Sequence, residues 1–287
     1  MADSPRPIGV FDSGVGGLTV LGALRARLPG EDFVYLGDTA RLPYGTKSPE
    51  TVERYSVQCA GLLVERGVDA LVVACNTASA FALPALAAAW PDLPIVGVIE
   101  PGAAAAARAT RSGRIAVIAT EGTVRGGAYP AAIARRRADA RVTSIACPLF
   151  VALAEEGWVD GPVVEAVAHR YLDPAFAAAD APDTLVLGCT HFPALAGALR
   201  AVVGPDVAIV DSAATTAEAV ETLLAERGRT PRASRPGRLT LLATDGPERF
   251  ARVSAVFGIP VRADDVELVD LAVALRGPGT AAAPASS

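Results

Sequence analysis

Asp69-Ala70-Leu71-Val72-Val73-Ala74-Cys75-Asn76-Thr77-Ala78 and Asp183-Thr184-Leu185-Val186-Leu187-Gly188-Cys189-Thr190-His191-Phe192 follow one pattern. An acid opens each, an apolar run follows, and a cysteine stands six residues after the acid with polar neighbours behind it. Apolar runs of this length, rich in Val and Leu, read as strands buried on both faces of a parallel sheet. A weaker echo links Ile8-Gly9-Val10-Phe11-Asp12-Ser13-Gly14 to Ile115-Ala116-Val117-Ile118-Ala119-Thr120-Glu121-Gly122, which precede the two cysteines by 67 and 74 residues. Repetition in the same order implies a duplicated α/β half.

Outward from the two runs, Ile8 to Phe11, Phe33 to Leu36, Ala70 to Ala74 and Ile95 to Ile99 read as strands of a first sheet. Leu18 to Leu28, Pro49 to Arg66 and Ala78 to Ala89 read as the helices between them. Ile115 to Ala119, Val142 to Ala146, Thr184 to Leu187 and Ala208 to Val210 form a second set of strands. Their helices are Gly126 to Arg137, Val163 to Ala179 and Leu195 to Val203. Glu218 to Arg227, Leu239 to Ala243 and Pro247 to Phe257 then return to the first sheet. The expected fold is therefore α/β, with two similar domains, largely parallel sheets and the active site in the cleft between them. Residues 1–99 with 210–276 make the first domain, 100–209 the second, and 277–287 a disordered tail.

Composition agrees with a packed globular chain: of 287 residues, 51% are hydrophobic and 20% charged. A formal charge of −5 gives no electrostatic reason to bind nucleic acid or an anionic membrane. No run approaches a membrane span and the N-terminal residues lack the apolar stretch of a secretory signal, so the cytoplasm is the expected compartment. The four cysteines, Cys59, Cys75, Cys147 and Cys189, show neither C-x-x-C pairing nor zinc-type spacing. Cys59 and Cys147 read as buried small hydrophobes, and no metal is expected. Gly14, Gly16 and Gly17 do not complete a dinucleotide loop, because Thr19 stands where the last glycine belongs. Gly45-Thr46-Lys47-Ser48 likewise lacks the remaining features of a Walker loop.

In open α/β sheets reactive groups gather beyond the carboxyl ends of the strands. Asp12-Ser13-Gly14, the loop Gly37 to Gly45, Cys75-Asn76-Thr77 and Cys189-Thr190-His191 all fall there. A thiol at a helix N-terminus faces backbone N–H groups that favour thiolate, so both cysteines are expected to have lowered pKa values. Two equivalent domains facing one another would place the thiols on opposite sides of one small molecule. That is the arrangement of a two-base racemase: one sulfur takes the α-proton, the carbon becomes planar, and the other sulfur returns a proton from the opposite face. With each sulfur about 3.5 Å from the α-carbon, the two lie roughly 7 Å apart, which excludes a disulfide. One thiolate and one thiol must coexist, so the two sites need different tuning, for which Asp12, Glu155 and His191 are the candidates. Ser13, Asn76, Thr77 and Thr190 are candidates to hold substrate carboxylates and stabilise the carbanion. The scheme needs no pyridoxal lysine or other cofactor.

These residues lie in motifs that resemble the glutamate racemase family: Gly9 to Thr19, Tyr35 to Thr39, Pro43-Tyr44-Gly45, Ala74 to Ala78, Gly97 to Pro101 and Gly188 to His191. The resemblance runs from about Ile8 to Ser212 and implies interconversion of L- and D-glutamate, with the D-enantiomer used for peptidoglycan. It further implies that Cys75 deprotonates D-glutamate and Cys189 L-glutamate, with Asp12, Glu155 and His191 assisting. Asp12, Ser13, Tyr44, Gly45, Asn76, Thr77, Thr190 and His191 would touch substrate, and a homodimer is compatible with it. Gly126 departs from the family's usual Ser, and the Ala residues of Phe150 to Glu155 from its usual Pro and Val. Two competing readings are an aspartate or other amino-acid racemase of the same superfamily, and a noncatalytic amino-acid-binding or regulatory protein that keeps the cleft.

Overall fold

The computed structural model describes residues 6–229 and 235–271. Parallel strands form a six-stranded and a four-stranded sheet. In chain order the strands are β1 (Ile8–Asp12), β2 (Phe33–Gly37), β3 (Ala70–Val73), β4 (Ile95–Gly97), β5 (Arg114–Ala119), β6 (Arg141–Ala146), β7 (Thr184–Gly188), β8 (Ala208–Asp211), β9 (Leu239–Ala243) and β10 (Val266–Leu268). The first sheet has the order β10-β9-β2-β1-β3-β4 and the second β6-β5-β7-β8. Without β9 and β10, each sheet is the same four-strand unit: β1 and β5 occupy equivalent places, and so do β3 and β7.

Side-chain alternation divides each sheet between two cores. Ile8, Val10, Ala70 and Val72 point to one face of the first sheet, while Phe11, Leu71, Val73 and Cys75 point to the other. In the second sheet Leu185, Leu187 and Cys189 share a core with Ala116 and Ile118, whereas Ile115, Val117 and Val186 face the opposite one. Cys75 and Cys189 thus hold the same parity in equivalent strands. β1, β2 and β7 are buried throughout, as expected for strands covered on both faces, whereas β4 and β6 at sheet edges are only partly covered. Cys59 and Cys147 are fully buried, but Cys59 differs from the apolar expectation in having the Arg41 guanidinium and the Tyr44 hydroxyl each 3.7 Å from its sulfur.

Several elements differ from the sequence expectation, and each difference has a local cause. The run expected to be a strand through Ile99 ends at Gly97, and the helix Ile99–Ala109 begins at Ile99. Pro101 sits in its first turn, where the missing N–H removes no helical bond. Pro148 opens the unexpected helix Pro148–Glu155 for the same reason. Gly126 to Arg137 is not one helix: Glu121–Gly126 ends at Gly127, whose φ of +64° stops it, and Ala128–Ala134 begins afresh. The first sheet also gains β10, which pairs with β9. The returning helix starts early, at Ser212, where Asp211 caps it by accepting from the Ala213 N–H at 2.5 Å. The tail expected at 277–287 lies outside the described residues.

Candidate active site

The ends of β1, β3 and β7 meet where the two sheets face each other. Because β1 pairs with β3, the Asp12-Ser13 turn lies beside the Cys75 loop. Cys75 is the N-cap of the helix Asn76–Phe81, and its sulfur accepts from the Ala78 N–H at 3.4 Å. Its Sγ lies 3.6 Å from Ser13 Oγ. Asp12 is fully buried; its Oδ2 accepts from the Gly14 N–H at 3.0 Å, and Oδ1 from the Thr190 hydroxyl at 3.4 Å. The carboxylate therefore joins the turn beside Cys75 to the residue following Cys189. The Thr19 hydroxyl adds a second tie by donating to the Thr190 carbonyl at 3.1 Å.

Cys189 follows β7 directly, but it enters a turn rather than an α-helix: the next element is the short 3-10 segment Phe192–Leu195. The sulfur's polar neighbour is a side chain, His191, with Nδ1 at 3.8 Å. His191 Nε2 faces Oε1 of Glu155 at 3.1 Å, and Arg249 donates to Oε2 of Glu155 at 2.6 Å. The Phe257 ring meets the imidazole edge-on, with centroids 5.2 Å apart. His191 is 6% exposed and fits tightly: a Cβ on Gly16 would lie 2.5 Å from its Nδ1 and 2.6 Å from Thr190 Oγ1. Only glycine fits there.

The two sulfurs experience different electrostatics. Burial, with the Asp12 carboxylate adding to it, pushes the Cys75 thiol up to about 12 against the Ala78 N–H and the Ser13 hydroxyl. The lowered value expected from its position at a helix start is therefore not found, because loss of solvent outweighs a short helix's dipole. Burial alone would lower the His191 pKa, but the hydrogen bonds to Cys189 and Glu155, with the negative charges nearby, raise it to about 10. Burial also raises Asp12, opposed by the charge of His191. Burial would raise Glu155 as well, yet His191 and Arg249 together hold it below the usual carboxylate range. Among the described residues no three His, Cys, Asp or Glu side chains converge as metal ligands.

The remaining expected residues surround this centre in different ways. Asn76 is buried; its Oδ1 accepts from the Tyr129 hydroxyl at 2.8 Å, and its Nδ2 has no hydrogen-bond partner. Thr77 Oγ1 lies 2.9 Å from Thr120 Oγ1 and 3.0 Å from Thr123 Oγ1, which ties it to the turn after β5. The Tyr44 side chain is buried in the same core as Cys75 and Cys59, with its hydroxyl donating to Asp38 and lying 3.7 Å from Cys59 Sγ. Gly45 lines a cavity of about 280 Å³ with Thr46, Thr120, Val151 and Glu155. Cys75 and Cys189 are 5% and 7% exposed, so the site is closed. Tyr129, Thr120, Thr123, Arg249 and Phe257 were not among the residues singled out from sequence. Thr120 did appear in the echo of the first motif, the one signal that pointed to it.

Comparison with known proteins gives consistent matches. A family model described as Asp/Glu/Hydantoin racemase matches residues 19–220. The glutamate racemase of Geobacter metallireducens is 52% identical over 252 residues, covering 88% of this chain and 92% of that protein. The crystal structure of glutamate racemase from Thermus thermophilus in complex with β-chloro-D-alanine superposes with a TM-score of 0.82 at 47% identity, covering 93% of this chain and 98% of that one. Glutamate racemase from Francisella tularensis in complex with D-glutamate gives a TM-score of 0.84 at 35% identity and the same coverages.

Proposed function

This chain belongs to the Asp/Glu/Hydantoin racemase family, and from that premise we propose that it interconverts L- and D-glutamate by two-base proton transfer between Cys75 and Cys189. What supports the mechanism is the Asp12 to Thr190 contact, which ties the turn beside the Cys75 loop to the residue after Cys189. Glutamate is favoured over aspartate because the relatives with high identity over nearly the full chain are glutamate racemases. In this reading residues 1–99 with 210–276 form one α/β unit and 100–209 the other, with the site between them.

In the proposed reaction Cys75 takes the α-proton of D-glutamate and Cys189 that of L-glutamate. The Asn76 Nδ2, a buried donor without a partner, is held by the Tyr129 hydroxyl on its other atom and awaits a substrate oxygen. Ser13, Thr77 and Thr190 supply hydroxyls around it, and Gly45 supplies backbone. Tyr44 contributes through its backbone and anchors the loop with its phenol on Asp38. His191 offers positive charge where Cys189 becomes thiolate, and Asp12 offers negative charge beside Cys75 when it is a thiol. The D-glutamate formed would serve peptidoglycan synthesis. No described helix is long and apolar enough to cross a membrane, and reduced thiols are kept in the cytoplasm, the proposed location.

The test is polarimetric turnover of L-glutamate and L-aspartate by purified protein without added cofactor. Rapid loss of optical rotation with glutamate and little with aspartate is expected. Preference for aspartate would support the other superfamily reading, and ligand binding without turnover of either would support a binding protein.

A further inference from the structure

Arg249 lies on the helix Pro247–Ser254, which packs into the core of the six-stranded sheet through Phe250 and Val253. Its guanidinium nevertheless reaches Glu155, the last residue of the helix Pro148–Glu155, in the part of the chain that carries the four-stranded sheet. The two oxygens of this carboxylate have separate partners: Oε2 accepts from Arg249 Nη2 at 2.6 Å, and Oε1 faces His191 Nε2 at 3.1 Å. Glu155's side chain is 8% exposed, while that of Arg249 is 51% exposed. The same C-terminal segment supplies Phe257, whose ring stands nearly perpendicular to the imidazole. One short stretch of the first unit therefore contacts both members of the pair standing behind Cys189.

Accepting the racemase reading above, we propose that Arg249 is a positioning residue for proton transfer at Cys189: it fixes the Glu155 carboxylate in the orientation that presents His191 to the sulfur. The bond pairs a buried carboxylate with a guanidinium that is half exposed and reaches in from the surface. A carboxylate with one oxygen free can rotate toward water, whereas a charge-assisted bond to the second oxygen restrains it. Because Arg249 and Glu155 belong to different units, the bond exists only while those units are together. It links closure of the site to alignment of one base and leaves Cys75 untouched. The charged and titratable groups around the pair are Arg249, Asp12 and Cys189, with Glu121 lining the same cavity as Glu155.

Arg249→Gln tests this, with Arg249→Lys as the conservative variant. Arg249→Gln should lower kcat roughly 10-fold with little change in KM, and Arg249→Lys should recover most of the loss. Without the guanidinium Glu155 takes up a proton more readily, so the acid limb of the kcat/KM profile should move to higher pH in Arg249→Gln. The substrate deuterium isotope effect should rise with α-deuterated L-glutamate and fall with the D-enantiomer, whose abstraction by Cys75 then precedes the slowed step at Cys189. Wild-type rates and an unmoved acid limb in Arg249→Gln would overturn the proposal. So would equal losses in both variants, with no change in pH profile or isotope effect. A wild type that does not racemise glutamate would overturn the functional reading, and this inference with it.

Discussion

Cys75 and Cys189 end equivalent strands of two sheets with the same four-strand order, yet their surroundings have little in common. Cys75 caps a helix, faces the Ser13 hydroxyl and the Ala78 N–H, and has a buried carboxylate nearby. Cys189 caps no α-helix and faces an imidazole backed by Glu155 and Arg249. A repeated backbone thus presents two thiols symmetrically, while unrelated side chains give them opposite electrostatic partners. A reaction that needs one thiol and one thiolate at a time requires that difference.

The strongest way to break the comparison is to remove either sulfur. Cys75→Ser and Cys189→Ser should each lower racemisation by roughly a thousand-fold or more, since the remaining thiol cannot serve both faces of the carbon. They should fail differently. Cys75→Ser should lose α-proton exchange from D-glutamate in deuterated water, and Cys189→Ser exchange from L-glutamate. NMR of the α-proton reads both, and identical exchange patterns in the two variants would mean the sites are not divided by face.

Next in size is Glu155→Gln, which removes one of the interactions that raise His191 and leaves Cys75's neighbours in place. Activity should fall roughly 10- to 100-fold, and the alkaline limb of the pH–rate profile should move down from about 10 toward the ordinary histidine range. An unmoved limb would separate His191 from Glu155.

Legibility in the sequence followed the same division. The repeated Asp-to-Cys stretches mark both strands because buried parallel strands are local apolar runs, and the polar triplets mark their carboxyl ends. The family resemblance read from those motifs is confirmed by the matches. Arg249 was invisible: it lies 94 residues from Glu155, and nothing local distinguishes it from other surface arginines. Phe257 is equally hidden, since its contact with His191 arises only when the chain returns to the first sheet. The direction of the Cys75 shift was missed because a helix start is legible in sequence, while burial of the sulfur depends on packing among residues far apart in the chain. Pro101 and Pro148 concealed two helices that tolerate proline in the first turn.

Smaller effects sharpen the packing side of the comparison. Gly16→Ala places a methyl against His191 and Thr190, and should cost about 1–3 kcal/mol with a fall in kcat. Gly197→Ala, on the helix Ala196–Val203 with nothing within 4 Å, is the control and should leave kcat unchanged while raising stability by about 0.5–1 kcal/mol. Denaturant titration with parallel rate assays distinguishes the two. An unaffected Gly16→Ala would mean the His191 contact is looser than described.

A further test concerns stability against pH. His191 titrates near 10 when folded and near 6.5 in an unfolded chain, so the folded state holds the proton more tightly. Its stabilising contribution is complete below about 6.5 and disappears as pH rises through about 10. The stability difference between wild type and His191→Gln should therefore shrink steadily from pH 6 to pH 9. A difference that grows over that range would reverse the assigned charge.

The central claim is that two sulfurs serve opposite faces of one carbon, and following solvent deuterium into both enantiomers early in turnover tests it directly. Starting from L-glutamate in deuterated water, newly formed D-glutamate should carry α-deuterium while recovered L-glutamate remains protiated. Deuterium entering recovered L-glutamate as fast as product would point to a single base, and would contradict the assignment of Cys75 and Cys189 as a pair.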